Sequence, residues 1–115
     1  MFNLSKNEIL RGKNAFNAIH SKGRSFANHA LIILVAKNER YKGKVGFAAG
    51  KKLGGAVIRN RVKRLMREAY RLNKNSLSHD CGMILVGRKF LVSAKFEDAQ
   101  KAFLDLCRRA KLLKP

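Results

Sequence analysis

The residues of this 115-residue sequence best placed to do chemistry are cations. The stretch KKLGGAVIRNRVKRLMREAYRL, residues 51–72, carries eight lysines and arginines in twenty-two positions, against the lone acid Glu68. Ammonium and guanidinium groups at that density bind anions, and the planar guanidinium grips phosphate through two N–H groups or stacks on a base. At helical spacing Arg59, Asn60, Lys63, Arg64, Arg67 and Arg71 lie opposite an apolar stripe of Ile58, Val62, Leu65, Met66, Ala69 and Leu72, with Arg61 and Glu68 on one flank. A solvated helix face ordinarily mixes signs, because opposite charges four apart stabilise a helix by about 0.2–0.5 kcal/mol and like charges cost as much. This face forgoes that gain repeatedly, and Glu68 can offset only Arg64 or Arg71. Lys51, Lys52, Gly54 and Gly55 come just before it. They add charge, and a backbone able to approach phosphate closely, at a helix N-terminus. The pattern reads as a phosphate-binding face.

Hydrolytic chemistry has no comparable constellation. A metal-dependent nuclease gathers carboxylates around its ions, yet the seven acids are spread along the chain. Only Glu97 and Asp98 are adjacent, at a helix start where acids suit the dipole, and Glu39 falls in a polar loop. His20, His29 and His79 sit in different segments, so no paired general acid and base emerges. Cys81 and Cys107 stand twenty-six positions apart with no further Cys or His at zinc-ligand spacing. Both are expected to be buried and reduced. Neither a catalytic residue nor a metal ligand is expected in the chain.

The whole composition agrees with an anionic partner: 26 Lys plus Arg against 7 Asp plus Glu give a net charge of +19. Such self-repulsion favours a polyanion. A membrane surface would call for an amphipathic helix with large apolar residues facing lipid. The chain has no Trp, and its apolar faces are committed to a core. The longest uncharged run, Phe26 to Ala36, is well short of the roughly 20 residues that span a bilayer. MFNLSKNEIL lacks the pattern of a signal peptide, so the cytoplasm is the expected compartment.

The elements that must hold the cations fit one domain over 1–115, with 1–8 and 111–115 expected to fray. Neither a linker nor a repeat divides it. KNAFNAIH, 13–20, places Phe16 and Ile19 on one helix face before Gly23. A short strand over Ser25 to Ala27 precedes LIILVA (31–36) and KVGFAAG (44–50), which are expected to pair antiparallel. CGMILVG, 81–87, reads as a buried strand. Ser93 is the expected cap of a last helix carrying Phe96, Ala99, Phe103, Leu106 and Cys107 at a 3.6-residue period. The result is an α+β fold, α-β-β-β-α-β-α, around a mixed sheet.

KKLGGAVIRNRVKRLMRE resembles the signature of the bacterial ribonuclease P protein subunit, whose hallmark Arg-Asn-Arg run is Arg59, Asn60 and Arg61 here. The likeness extends from KNAF to the last helix, in the same order of elements. It implies a ribonucleoprotein endonuclease in which a catalytic RNA, with Mg²⁺, removes the 5′ leader of precursor tRNA. The protein then needs neither a cofactor nor an obligate protein partner. Binding of the catalytic RNA would fall to Lys51, Lys52, Arg59, Asn60, Arg61, Lys63, Arg64 and Arg67. Binding of the single-stranded leader would fall to a cleft of Phe16, His20, Arg24, Ile32 and Leu34. The family often has aromatics where this chain has His20 and Leu34, which shifts the expected leader contacts toward apolar packing, His20 and Arg24. The resemblance also implies a left-handed strand-helix-strand crossover, an exception to the usual hand. On the residues alone, a ribosomal protein and a DNA-binding protein with its basic helix in the major groove stay open.

Overall fold

Four strands and three helices follow one another in the expected order in a computed structural model that describes residues 8–10, 12–78 and 80–114. They are α1 (Gly12–Lys22), β1 (Arg24–Ala27), β2 (Leu31–Ala36), β3 (Val45–Ala49), α2 (Ala56–Asn73), β4 (Gly82–Gly87) and α3 (Phe96–Arg109). His79 lies outside the described residues.

The sheet order is β1-β2-β4-β3. This corrects one expectation: β2 and β3 do not pair. β4 lies between them, antiparallel to β2 and parallel to β3. Its residues Met83, Ile84 and Leu85 are all buried. Side chains alternate across a strand, so a run that is apolar on both sides is best placed at the centre of a sheet covered on both faces. β3 reaches it through α2, which makes β3-α2-β4 a crossover unit.

Alternation divides the core into two layers. Leu31, Ile33, Val35, Met83 and Leu85 face α2 and α3, and pack with Val62, Met66, Ala69, Tyr70, Phe103 and Leu106. Ala36 and Ile84 face the other way and pack under Leu10, Ala15 and Ile19 of the first segment. Gly82 leaves room for Ile19, since a Cβ there would stand 2.5 Å from its Cδ1. Gly87 likewise admits Val62.

Two further expectations change. The α2 stripe is narrower at its ends than its period suggests: Ile58 and Leu72 are exposed, while Tyr70 is buried. An 18-residue helix is about 27 Å long, whereas strands of five or six residues run about 17–20 Å, so the ends of α2 overhang the sheet. Ser93 does not cap α3. That place belongs to Lys95, whose backbone N–H donates to the Asp98 carboxylate at 3.4 Å. After α3 the N–H of Leu112 donates to Cys107 O, that of Ser78 to Leu112 O, and Leu77 bridges Leu113. Cys81 and Cys107 are free and buried, and burial pushes the Cys107 thiol up to about 12.

Candidate nucleic-acid interface

The basic surface is built on α2 and the turn before it. Lys51 and Lys52 stand exposed on a short 3₁₀ turn, Lys51–Leu53. The chain then bends through Gly54, whose φ of 141° excludes other residues. Gly55 caps α2 without a side chain, so the first amides of the helix stay open. From there Asn60, Arg64 and Arg67 are exposed, and Lys63 and Arg59 half-buried, with Arg59 Nε fully buried and unpartnered. The Arg67 guanidinium lies 5.6 Å over the Phe47 ring of β3. Phe47 continues edge-on into Tyr70 and then Phe103 in the core. A stacked guanidinium keeps its N–H groups free at the rim, set for an anion. Val57, the most exposed large apolar residue among the described residues at 83%, lies in the first turn of α2.

The lone acid of α2 is engaged within the helix. Glu68 accepts from Arg71 Nη2 at 2.7 Å and from Arg71 Nε at 3.0 Å. Those hydrogen bonds, with the charge behind them, hold the carboxyl below its ordinary range. Arg61 departs from the cationic row. Its Nη1 donates to Leu91 O (3.1 Å) and Val92 O (2.8 Å), and its Nη2 to Ala94 O (2.8 Å). Arg61 ties α2 to the turn that enters α3. Lys51, Lys52, Arg59, Asn60, Lys63, Arg64 and Arg67 thus share one end and one side of α2, and the Arg61 guanidinium is directed inward.

A second surface of different chemistry lies on the other face of the sheet, beside α1. The Phe16 ring rests on Gly46, where a Cβ would stand 2.5 Å from Phe16 Cζ. Phe16, Leu34, Tyr41 and Val86 are half-buried around the smaller core layer. Ile32, also half-buried, pairs with Val86, which pairs in turn with Ala48. Phe16, Ile32 and Leu34 therefore meet on one apolar floor, and exposed His20 follows Phe16 by one helical turn. Val86 and Ala48 belong to the same floor. Their signal in the sequence was strand alternation opposite Ile32, hidden until the register was known.

Arg24 is not on that floor. It pairs with Val35, and Phe26 with Ile33, so both side chains project with the main core layer. The Arg24 guanidinium sits 5.1 Å over the Phe26 ring. The Cβ of a residue at even spacing from Phe26 points to the face opposite Ile32 and Leu34.

Among the described residues no three of His, Cys, Asp and Glu come together as they would around a metal ion. Glu8 pairs with Lys74, Asp105 with Arg109, and Asp98 closes the start of α3. Exposed His29 packs edge-on against Phe90 at 4.5 Å. No helix is long and apolar enough to cross a membrane among the described residues.

These features have close counterparts. A protein from Alkaliphilus metalliredigens described as a ribonuclease P protein component is 34% identical over 110 residues, which are 96% of this chain and 99% of that protein. A counterpart from Alkaliphilus oremlandii is 38% identical over 104 residues, 90% and 91% of the two chains. The RNase P protein of Staphylococcus aureus superposes with a TM-score of 0.82 at 25% identity, covering 93% of this chain and 98% of that one. The RNase P protein of Thermotoga maritima does so with 0.78 at 29% identity, covering 89% and 96%. The sequence model of the ribonuclease P family matches residues 4–111, and the chain belongs to that family of ribonucleoprotein protein subunits.

Proposed function

We propose a division of labour for this subunit. The face of α2 and the turn before it, through Lys51, Lys52, Arg59, Asn60, Lys63, Arg64 and Arg67, bind the catalytic RNA. The apolar floor beside α1, through Phe16, His20, Ile32 and Leu34, takes the single-stranded 5′ leader of precursor tRNA. The RNA, with the Mg²⁺ that it holds, performs the hydrolysis, and the assembly works in the cytoplasm. Arg61 supports the first surface from behind, and Arg24 takes no part in the second. The crossover β3-α2-β4 is left-handed in this reading.

The observation that carries the proposal is the cationic row of α2: the one acid of that helix is engaged by Arg71, and Arg59, Lys63, Arg64 and Arg67 have no carboxylate partner among the described residues. Like charges repeated at four-residue spacing, as in Arg59, Lys63 and Arg67, destabilise a free helix by about 0.2–0.5 kcal/mol per pair. A bound polyanion reverses that sign. A half-buried apolar floor suits unstacked bases, since stacking and packing against any base face contribute about 1–3 kcal/mol per base.

The test is reconstitution. Mixed with its cognate RNA subunit at limiting Mg²⁺, the protein should raise precursor tRNA cleavage at the mature 5′ end and tighten binding of precursor over mature tRNA. The protein alone should cleave nothing. No gain on mixing, as a ribosomal or DNA-binding protein would give, or robust cleavage by RNA-free protein, would sink the proposal.

A further inference from the structure

We propose a further phosphodiester-binding site at the first turn of α1, in a cavity of about 430 Å³ whose lining includes Lys13, Asn14, Arg40, Tyr41 and Lys44. The inference rests on the RNA-binding reading above but uses none of the residues assigned there. Successive helical residues turn by about 100°, so Asn14 and Phe16 project about 160° apart. Lys13 projects only about 60° from Phe16, and Tyr41 packs with Phe16 around the smaller core layer, so the cavity adjoins the apolar floor.

Three separate segments bring a cation to this cavity: the first turn of α1 with Lys13, the 3₁₀ turn Glu39–Tyr41 with Arg40, and the residue before β3, Lys44. No carboxylate pairs with any of them among the described residues, Glu39 included. The first turn of α1 also holds no acid. The turn that carries Arg40 is held in place. Asn38 Oδ1 accepts from the Arg40 N–H at 2.9 Å, and the Arg40 guanidinium lies 5.6 Å over the Tyr41 ring. The Lys44 N–H donates to Tyr41 O, and the Gly43 N–H to Cys81 O, which pins the turn to the start of β4. Gly43 has a φ of 76°, a backbone state that suits glycine.

Guanidinium, ammonium and amide groups around one cavity recognise phosphate oxygens. The cavity is several times the size of an isolated phosphate ion, and the Tyr41 ring adds an apolar wall, so a nucleotide unit of a chain fits better than a free anion. Position supports this. Lys44 precedes β3 and Lys51 follows it, at most about 23 Å away at about 3.3 Å per residue. The apolar floor lies between cations at both ends of that strand. An RNA strand laid along the sheet would meet phosphate partners at each end.

Two RNA chains could supply the phosphates, the precursor leader or the RNA subunit, and the experiment separates them. In the reconstituted holoenzyme, the variant Lys13→Gln/Arg40→Gln/Lys44→Gln would be compared with the parent for binding of precursor tRNAs whose leaders are shortened stepwise, of mature tRNA, and of the RNA subunit, across salt concentrations. A loss of at least tenfold with a flatter salt slope is expected. If it is confined to long leaders, the leader occupies the site; if it appears in RNA-subunit binding, that RNA does. Arg40→Gln alone, on an exposed turn, should act in the same direction should the triple variant melt early. Unchanged affinities and slopes in every arm, while Phe16→Ala weakens leader binding and Arg64→Ala weakens RNA-subunit binding, would overturn this site and leave the proposed function standing. If those two controls are also silent, the proposed function has failed and the site with it.

Discussion

Arg61→Ala should unfold the protein more readily than it weakens RNA binding, the reverse of what its place in the Arg-Asn-Arg run suggests. Its guanidinium donates to Leu91, Val92 and Ala94 carbonyls at 3.1, 2.8 and 2.8 Å. Hydrogen bonds from a charged donor contribute about 1.5–3 kcal/mol each. Three of them give an upper range of roughly 5–9 kcal/mol if every carbonyl is left without a partner. The site is only part-buried, so water can enter the vacated space and satisfy much of that. A loss of about 2–4 kcal/mol remains as the expected cost. At about 4–8 °C per kcal/mol for a domain near this size, the melting temperature should fall on the order of 10–25 °C. Arg61→Lys keeps the charge but offers a single ammonium in place of the fork, and should recover less than half of the loss. Thermal melts of both variants, beside salt titrations of RNA-subunit affinity at a temperature where each is folded, decide the matter. If Arg61→Ala melts with the parent and flattens the salt slope by one contact, as Arg64→Ala should, Arg61 is an RNA ligand and the structural assignment is wrong.

Phe16→Ala should weaken holoenzyme binding to leader-bearing precursor tRNA by about 1–3 kcal/mol, one stacked base, with little change for mature tRNA or the RNA subunit. Because the ring is half-buried, its stability loss should stay below the about 3–5 kcal/mol of a fully buried one, and an equal effect on precursor and mature tRNA would remove it from the leader site. Gly46→Val, whose side chain needs the space of that ring, should reproduce the leader defect. Burial pushes the Tyr70 hydroxyl up to about 12, above its value of about 10 in the unfolded chain. The fold therefore favours the neutral phenol, and that stabilisation is complete below pH about 10 and lost as the pH rises toward about 12. In pH-dependent denaturation Tyr70→Phe should flatten the alkaline limb, and an unchanged limb would refute the assignment. Cys107, raised to about 12, should resist alkylation by iodoacetamide at pH 8 until the protein is unfolded by denaturant.

The helix α2 was readable because its signals are local. Val62, Met66 and Ala69 recur at helical spacing, and the cations between them have nowhere to go but outward. Strand pairing is not local. β2 and β3 are neighbours in the chain, and sequential strands usually pair, yet only burial on both faces distinguishes β4 as the central strand. The apolar floor was half legible for the same reason: Phe16, Ile32 and Leu34 announce apolar faces, but Val86 and Ala48 join them only once the register Ile32–Val86–Ala48 is fixed. Where the Arg24 and Arg61 side chains end was not legible, because charge does not reveal where a long side chain ends. One is decided by strand parity relative to Phe26 and the other by three carbonyls some thirty residues away.

The same point bears on what the net charge means. Several guanidiniums serve the fold: Arg61 on the turn before α3, Arg88 on Asn28 O at 3.0 Å, Arg109 on Ala27 O and Asp105, and Arg71 on Glu68. Arginine at a turn satisfies carbonyls that the sheet ends leave open, a use that costs little when the N–H groups replace water. A net charge of +19 therefore overstates the phosphate contacts of any one RNA. The cations of the α2 surface that point outward are Lys51, Lys52, Arg59, Lys63, Arg64 and Arg67, and six contacts correspond to a slope of about 4–5 log units of affinity per log unit of salt. A measured slope near twice that for the RNA subunit would mean that surfaces beyond α2, the cavity beside Arg40 first among them, engage the same RNA. A slope near 1 would mean that the row is solvated after all.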